Sequence, residues 1–217
     1  MTPLRGNATT RLRRQAAVVL LALAASPALA GCQISGPAAE PTSQGSTVNT
    51  SEFSTLDAAG VAAIRDSKTA RLDMTSGRLS KDDVRVTQDS YGPEINTKDS
   101  GKISLIIAAP SGEISGETDR IRFNTTDQRS DFSEVTYFLT ANTPKEYFQL
   151  IREGVDRYGI SADSAEEWIS STQADPGSKS DFSITSGRST GLDVNYDLRY
   201  DGGKDTQVII VHIRPVS

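Results

Sequence analysis

Residues 192–200 read Leu-Asp-Val-Asn-Tyr-Asp-Leu-Arg-Tyr, an alternation of apolar and polar side chains with period 2. Successive side chains on a strand point to opposite faces, so this pattern belongs to a strand with one face buried and the other in water. It makes a one-sided antiparallel sheet the frame of the fold. Asp201-Gly202-Gly203-Lys204 has hairpin-turn chemistry. The strand at 207–214 follows, with Ile209, Val211 and Ile213 on one face and Val208, Ile210 and His212 on the other. Phe182 and Ile184 begin the first of these three closing strands.

Further strands are expected upstream. Ile103 to Ile107 is an apolar run stopped by Pro110. Ile121 and Phe123 alternate with Arg120 and Arg122, and Val135, Tyr137 and Leu139 alternate with Glu134, Thr136 and Phe138. Ala70 to Met74 and Val84 to Thr87 are short strand candidates, with a polar turn over 76–83. Thr143-Pro144-Lys145-Glu146 is a capping box with Pro at the first helical position. Phe148, Ile151, Val155 and Tyr158 then form a helical stripe, with Tyr147 and Leu150 beside it, and Gly159 supplies a left-handed stop. Ser164 to Glu167 is expected to cap a short second helix carrying Trp168. A helix over 56–68, capped by Ser54 or Thr55, opens the domain. Helices and antiparallel strands in this order predict an α+β two-layer sandwich, an antiparallel sheet with two main helices packed on one face.

The amino terminus carries different information. Arg5, Arg11, Arg13 and Arg14 form a basic region with no acid before Cys32, and Ala16 to Ala25 is an unbroken apolar run of ten. That run is too short to span a bilayer, which needs about 20 residues, and suits the apolar region of a signal peptide. Leu29-Ala30-Gly31-Cys32 follows. This segment resembles the lipobox signal of bacterial lipoproteins. The resemblance implies cleavage before Cys32 and a diacylglyceryl thioether on its sulfur, with Leu29, Ala30 and Gly31 read by the signal peptidase. It also implies acyl chains, palmitate among them, as the membrane anchor. The alternative is a plain secretory signal with an unrelated Cys. Arg13-Arg14 raises twin-arginine export, but Gln15-Ala16-Ala17 lacks the bulky apolar pair of such signals, so Sec export is expected.

Residues 1–31 are therefore read as a lipoprotein signal peptide, 32–53 as the lipidated Cys and a tether, and 54–217 as a single α+β domain. The tether is rich in Gly, Pro, Ser, Thr and Ala, with Ile34, Val48 and Phe53 its few bulky apolar residues. It buries too little to offset its ordering entropy. As a flexible chain it would hold the domain roughly 25 Å from the membrane.

Cleavage before Cys32 removes 31 of the 217 residues and four of the 23 basic ones. That leaves 186 residues with 19 bases against 28 acids, a net charge of −9. So acidic a body is unsuited to nucleic acid and is repelled by anionic lipid. One Cys and one His in the chain exclude an intramolecular disulfide and paired-His metal motifs.

Two likenesses concern the domain. Glu146-Tyr147-Phe148, Ile151-Arg152-Glu153, Arg157-Tyr158-Gly159, and Asp181-Phe182 leading into Gly191-Leu192 together resemble the actinobacterial LppA-like small lipoproteins. That group implies a fold and a lipid-anchored location, with no established activity; the chain departs from its pattern in having no Cys in the domain. Leu56-Asp57-Ala58-Ala59 leading into Ala70-Arg71-Leu72-Asp73-Met74 is similar to the opening of LprG-type lipid carriers over about 20 residues. The strands here offer less bulky apolar lining than a closed lipid cavity needs.

Several constellations invite a chemical reading. Gly187-Arg188-Ser189-Thr190-Gly191 matches G-x-S-x-G, and Asp205 and His212 follow in hydrolase order. That motif needs a strained strand-to-helix turn, and here it joins two strands; a Gly-Ser loop is the expectation. His212 is read as a half-buried rim imidazole. Asp193, Asp197, Asp201 and Asp205 lack the spacing of a calcium loop and are read as a solvated sheet face. Asp82-Asp83 and Glu166-Glu167 are read as turn and helix-cap acids, and nothing marks a glycosidase pair. Trp168 and Tyr158 could line a groove, with core packing the simpler reading. Asn49 and Asn124 fall in glycosylation-type triplets that carry no weight in a bacterial lipoprotein.

The expectation is a membrane-anchored extracytoplasmic lipoprotein whose domain is a non-catalytic binding or interaction module. Its partners would be the membrane, through the lipid, and an unknown envelope protein or small ligand, with no cofactor, metal or nucleic acid. The alternative is a lipid or small-ligand carrier with a cavity between sheet and helices.

Overall fold

The computed structural model describes residues 53–125 and 128–217, all within one compact unit. Its elements in chain order are α1 (Ala58–Ser67), β1 (Thr69–Asp73), β2 (Leu79–Ser80), β3 (Glu94–Asn96), β4 (Ile103–Ala109), β5 (Gly112–Thr118), β6 (Arg120–Asn124), β7 (Asp131–Phe132), β8 (Glu134–Ala141), α2 (Pro144–Tyr158), α3 (Ala162–Ala174), β9 (Lys179–Ser183), β10 (Asp193–Asp201) and β11 (Gln207–Arg214).

The frame is an antiparallel six-stranded sheet in the order β3-β6-β8-β11-β10-β9. The alternation at 192–200 sets its sides. Val194, Tyr196, Leu198 and Tyr200 are buried, and Val194, Tyr196 and Leu198 pair across with Ile213, Val211 and Ile209. These pair in turn with Val135, Tyr137 and Leu139 of β8. Helix α2 packs on this inner face. Its contact is close because residue 154 is Gly: a Cβ there would lie 2.6 Å from the Tyr196 ring. Thr143 caps α2 by accepting from the Glu146 amide (3.1 Å), while Glu146 accepts from the Asn142 amide (2.9 Å). The reciprocal bond therefore reaches one residue beyond the cap. Gly159 closes the helix at φ +71°. Helix α3 packs against α2, and Trp168 joins Tyr147, Phe148 and Tyr200 in an aromatic cluster with centroids 5.9–6.4 Å apart.

The α+β layering is as expected, with α2 and α3 on one face of an antiparallel sheet. The structure adds a second sheet, β1-β4-β5, in which β1 runs parallel to β4. It shares the inner face with α2: a Cβ on Gly116 of β5 would come 2.9 Å from Tyr137 and 3.1 Å from Leu139. Strand β5 carries one buried apolar residue, Ile114, and no alternation that would announce it. It forms because Pro110-Ser111 turns the chain back, with Gly112 at φ +96°, onto the apolar β4.

Three local expectations are corrected. Residues 84–87 form no strand: Val84 and Val86 are buried, but the Val84 carbonyl accepts from the Leu56 amide and the Val86 amide donates to Lys81, so these groups serve a turn. The opening helix is capped by Asp57, not Ser54 or Thr55. Its carboxylate accepts from the Gly60 amide (2.8 Å) and the Thr55 hydroxyl (3.0 Å). Helix α3 begins at Ala162 under Ser161, whose hydroxyl accepts from the Ser164 amide (3.3 Å).

At the far end of the β10–β11 ladder the two strands part. The Tyr147 hydroxyl sits between them, accepting from the Arg199 amide (3.0 Å) and donating to the Val208 carbonyl (3.1 Å). The Gln207 side chain fills the next gap, accepting from the Asp201 amide and donating to the Asp201 and Lys204 carbonyls. Two side chains thus satisfy backbone groups that a continued ladder would have paired.

Candidate functional site

No described helix or strand covers the outer face of the six-stranded sheet. Its centre is apolar: Phe138, Val208 and Ile210 stand half-buried on neighbouring strands, with Ile210 opposite Phe138. Charge surrounds them. The guanidinium carbons of Arg120 and Arg122 lie 5.2 and 5.4 Å from the Phe138 ring centroid, within cation–π range. Both arginines reach Glu94, at 3.6 and 2.9 Å. On the other flank Arg199 holds Asp197 (2.6 Å) and Asp181 (3.1 Å). A shallow hollow of about 400 Å³ opens beside Phe138, bounded by Lys98, Asp119, Arg120, Thr140, Thr206 and Val208. Paired charges around a half-desolvated apolar centre resemble the apolar core and polar rim of an interface.

One corner of this face is built around Glu134. Its carboxylate accepts from Thr136 (2.7 Å) and Asn124 (2.7 Å), contacts His212 Nδ1 at 3.1 Å and pairs with Arg214 at 2.6 Å. Burial alone would raise its pKa. Contacts with His212 and Thr136 and the nearby Arg214 charge outweigh that and bring it down to about 2. Arg214 also approaches Asp193, which pairs with Arg188 at 3.3 Å. The corner is a clasp of hydrogen bonds and ion pairs across β6, β8 and β11.

A second concavity, of about 440 Å³, lies between β5 and α2. Leu139, Leu150, Gly116 and Tyr196 line its apolar part, and Lys102, Glu117, Glu146, Glu153 and Arg157 its rim. Ser115 in its wall is held by Tyr158, whose hydroxyl accepts from the Ser115 amide (3.2 Å) and donates to its carbonyl (3.1 Å). Arg157 donates to the Ser115 hydroxyl (2.6 Å). Below lie Tyr137 and Tyr196, whose phenol pKa values are pushed up by burial and by neighbouring tyrosines.

The remaining candidate residues serve structure. Ser189 donates its hydroxyl to the Arg157 carbonyl (3.1 Å) and its amide to the Tyr158 carbonyl (3.3 Å), closing the end of α2. Gly187 is required by close approach, since a Cβ would fall 2.1 Å from the Tyr158 carbonyl oxygen. The G-x-S-x-G loop is thus a helix cap, and His212 is engaged with Glu134. Asp193, Asp197 and Asp201 pair separately with Arg188, Arg199 and Lys204. Among the described residues no three His, Cys, Asp or Glu gather as a metal cluster. Glu166 forms a two-bond pair with Arg152 (2.7 and 3.0 Å). Trp168 and Tyr158 belong to separate aromatic groups at opposite ends of α2. Cys32, with Leu29, Ala30 and Gly31, lies outside the described residues, as does Asn49.

The sequence did not single out Glu134, Arg214 or Tyr147 as organising residues. Period 2 places Glu134 and His212 on the wet face, but the β8–β11 register that joins them is a tertiary property. No protein-family model matches this chain, and comparison with curated proteins and with solved structures likewise returns no match.

Proposed function

We propose that this chain is a lipid-anchored lipoprotein of the extracytoplasmic face of a bacterial cell membrane. In this reading its domain is a non-catalytic interaction module that docks an envelope partner on the outer face of the six-stranded sheet. The lipobox-like Leu29-Ala30-Gly31-Cys32 and its preceding basic and apolar regions support the location, as does the resemblance to LppA-like lipoproteins. The observation that carries the module reading is the outer face, which no described element covers, with Phe138, Val208 and Ile210 held in a frame of paired charges. Side chains already held in ion pairs have less freedom left to lose when a partner binds.

Two measurements test it. Cys32→Ala should remove the chain from the membrane fraction or leave it unprocessed; a membrane-retained, cleaved variant sinks the anchor. A photoreactive residue at Ile210 should give discrete adducts in cells, and one at exposed Gln173 on α3 should not. Equal labelling from both sites would dismiss the outer face.

The cleft between β5 and α2 supports the carrier as a second reading, because an apolar floor with a charged rim suits a small amphipathic ligand. Native mass spectrometry of the purified protein separates the two: a retained lipid or small ligand favours the carrier.

A further inference from the structure

Strand β9 forms one edge of the six-stranded sheet. Hydrogen bonds from the Ile184 amide to Tyr196 and from the Gly202 amide to Ser178 fix which of its backbone groups are engaged. Alternate residues of an antiparallel strand bond to the same neighbour. Residues 178, 180, 182 and 184 therefore face β10, and the amides and carbonyls of Lys179, Asp181 and Ser183 point away from the sheet. These three residues are exposed, as is Phe182 on the core side of the same edge, at 37%. Asp181 pairs with Arg199 across to β10, whereas Lys179, opposite Asp201, has no carboxylate within 4 Å among the described residues. An edge with unpaired backbone groups is a template for another strand unless something blocks it.

We propose that β9 is a self-association edge, at which two copies of this chain pair their β9 strands antiparallel about Ser180 and join their six-stranded sheets into one. Charge selects both the partner and the register. Centred on Ser180, each Lys179 falls opposite the partner's Asp181, and both residues present free backbone groups to the seam. The outer face then reads Arg199, Asp181, the partner's Lys179, the partner's Asp201, with alternating sign across the junction. On the core side Phe182 meets the partner's Ser178 and loses its exposure. Centring on Asp181 would set two carboxylates against each other, and in-register parallel pairing would repel at both Lys179 and Asp181. Strands of five residues bury less than the roughly 800 Å² per partner of a standard interface. The pairing is consequently weak and concentration-dependent, strengthened wherever chains are confined together. It is independent of the outer-face docking proposed above.

Cysteine scanning of the full chain in its native membranes tests this. Under mild oxidation Ser180→Cys should give a disulfide-linked dimer, because Ser180 faces its own copy at a close non-hydrogen-bonded pair. Its yield should exceed those of Asp181→Cys and Phe182→Cys at least tenfold, with the 180–180 linkage identified by peptide mass so that Cys32 does not contribute. Adding Lys179→Glu, which sets Glu against the partner's Asp181, should lower that yield at least fivefold. A Ser180→Cys yield no higher than in the unsubstituted chain, a maximum at 181 or 182, or indifference to Lys179→Glu overturns the proposal. Sedimentation of the unsubstituted chain in detergent gives a test free of folding effects. The dimer fraction should rise with concentration, and a monomer persisting to roughly 1 mM refutes it.

Discussion

Replacing Tyr147 by phenylalanine removes one oxygen and leaves the ring in place. The ring is fully buried and packs on Phe148, Trp168 and Tyr200 at 6.3, 5.9 and 6.0 Å. These contacts survive the change. What is lost is the hydroxyl between the Arg199 amide and the Val208 carbonyl. Burial raises the Tyr147 pKa, so the group stays protonated and keeps its hydrogen to donate. A hydrogen bond contributes about 0.5–1.5 kcal/mol net, and a buried group left without a partner costs about 1–3 kcal/mol. Two such bonds place the loss for Tyr147→Phe at about 2–3 kcal/mol. For a domain of this size that is a fall in Tm of roughly 4–12 °C. Urea unfolding followed by circular dichroism should show a lower midpoint with an unchanged slope. Amide exchange at Arg199 should quicken. A variant within about 0.5 kcal/mol of the parent would mean that β10 and β11 close their ladder directly and that Tyr147 merely packs.

Period 2 in β10 is tested by neighbours. Val194→Asp places an unpartnered carboxylate at a fully buried position opposite Ile213 and should destabilise by several kcal/mol. Asn195→Asp should cost only about 1–2 kcal/mol, chiefly because Asn195 Nδ2 donates to the Ile184 carbonyl; equal losses at both positions would refute one-sided burial. The Glu134 clasp makes a pH prediction. A carboxylate held at about 2 in the folded state, against 4.5 ordinarily, contributes its stability in full above about 4.5 and loses it as pH falls towards 2. Glu134→Gln should therefore remove at most about 3 kcal/mol at neutral pH and little at pH 2; an undiminished slope of stability between those pH values would refute the clasp.

Much of the frame was legible because the deciding interactions are local. The alternation at 192–200, the Gly202-Gly203 turn and the capping box at Thr143 each concern residues within a few positions of one another, and each element forms within a few residues of where it is expected. Strand β5 was not legible: Gly112 to Thr118 has one buried apolar residue, and it becomes a strand because β4 offers an edge. Val84 and Val86 show the reverse case, in which β-branched residues are buried without a strand because their backbone groups serve Leu56 and Lys81. The cap at Asp57 was not foreseen either, because Ser54 and Thr55 offer the same capping chemistry two and three residues earlier. Geometry decided it, because the Thr55 hydroxyl supports the Asp57 carboxylate.

The chemistry divides the same way. Local pattern is enough to tell which side of β10 meets water, that Ser189 lies in a loop between strands, and that His212 stands on the wet side of its strand. Those are consequences of period 2 and of turn residues, which act over a handful of peptide units. Long-range packing is what gathers Glu134, Thr136, His212 and Arg214 into one clasp, lets Tyr147 bridge two strands 52 and 61 positions away, and leaves β9 at an edge. Register and strand order are set by how whole faces fit together, and no local pattern encodes which strand will be left without a neighbour.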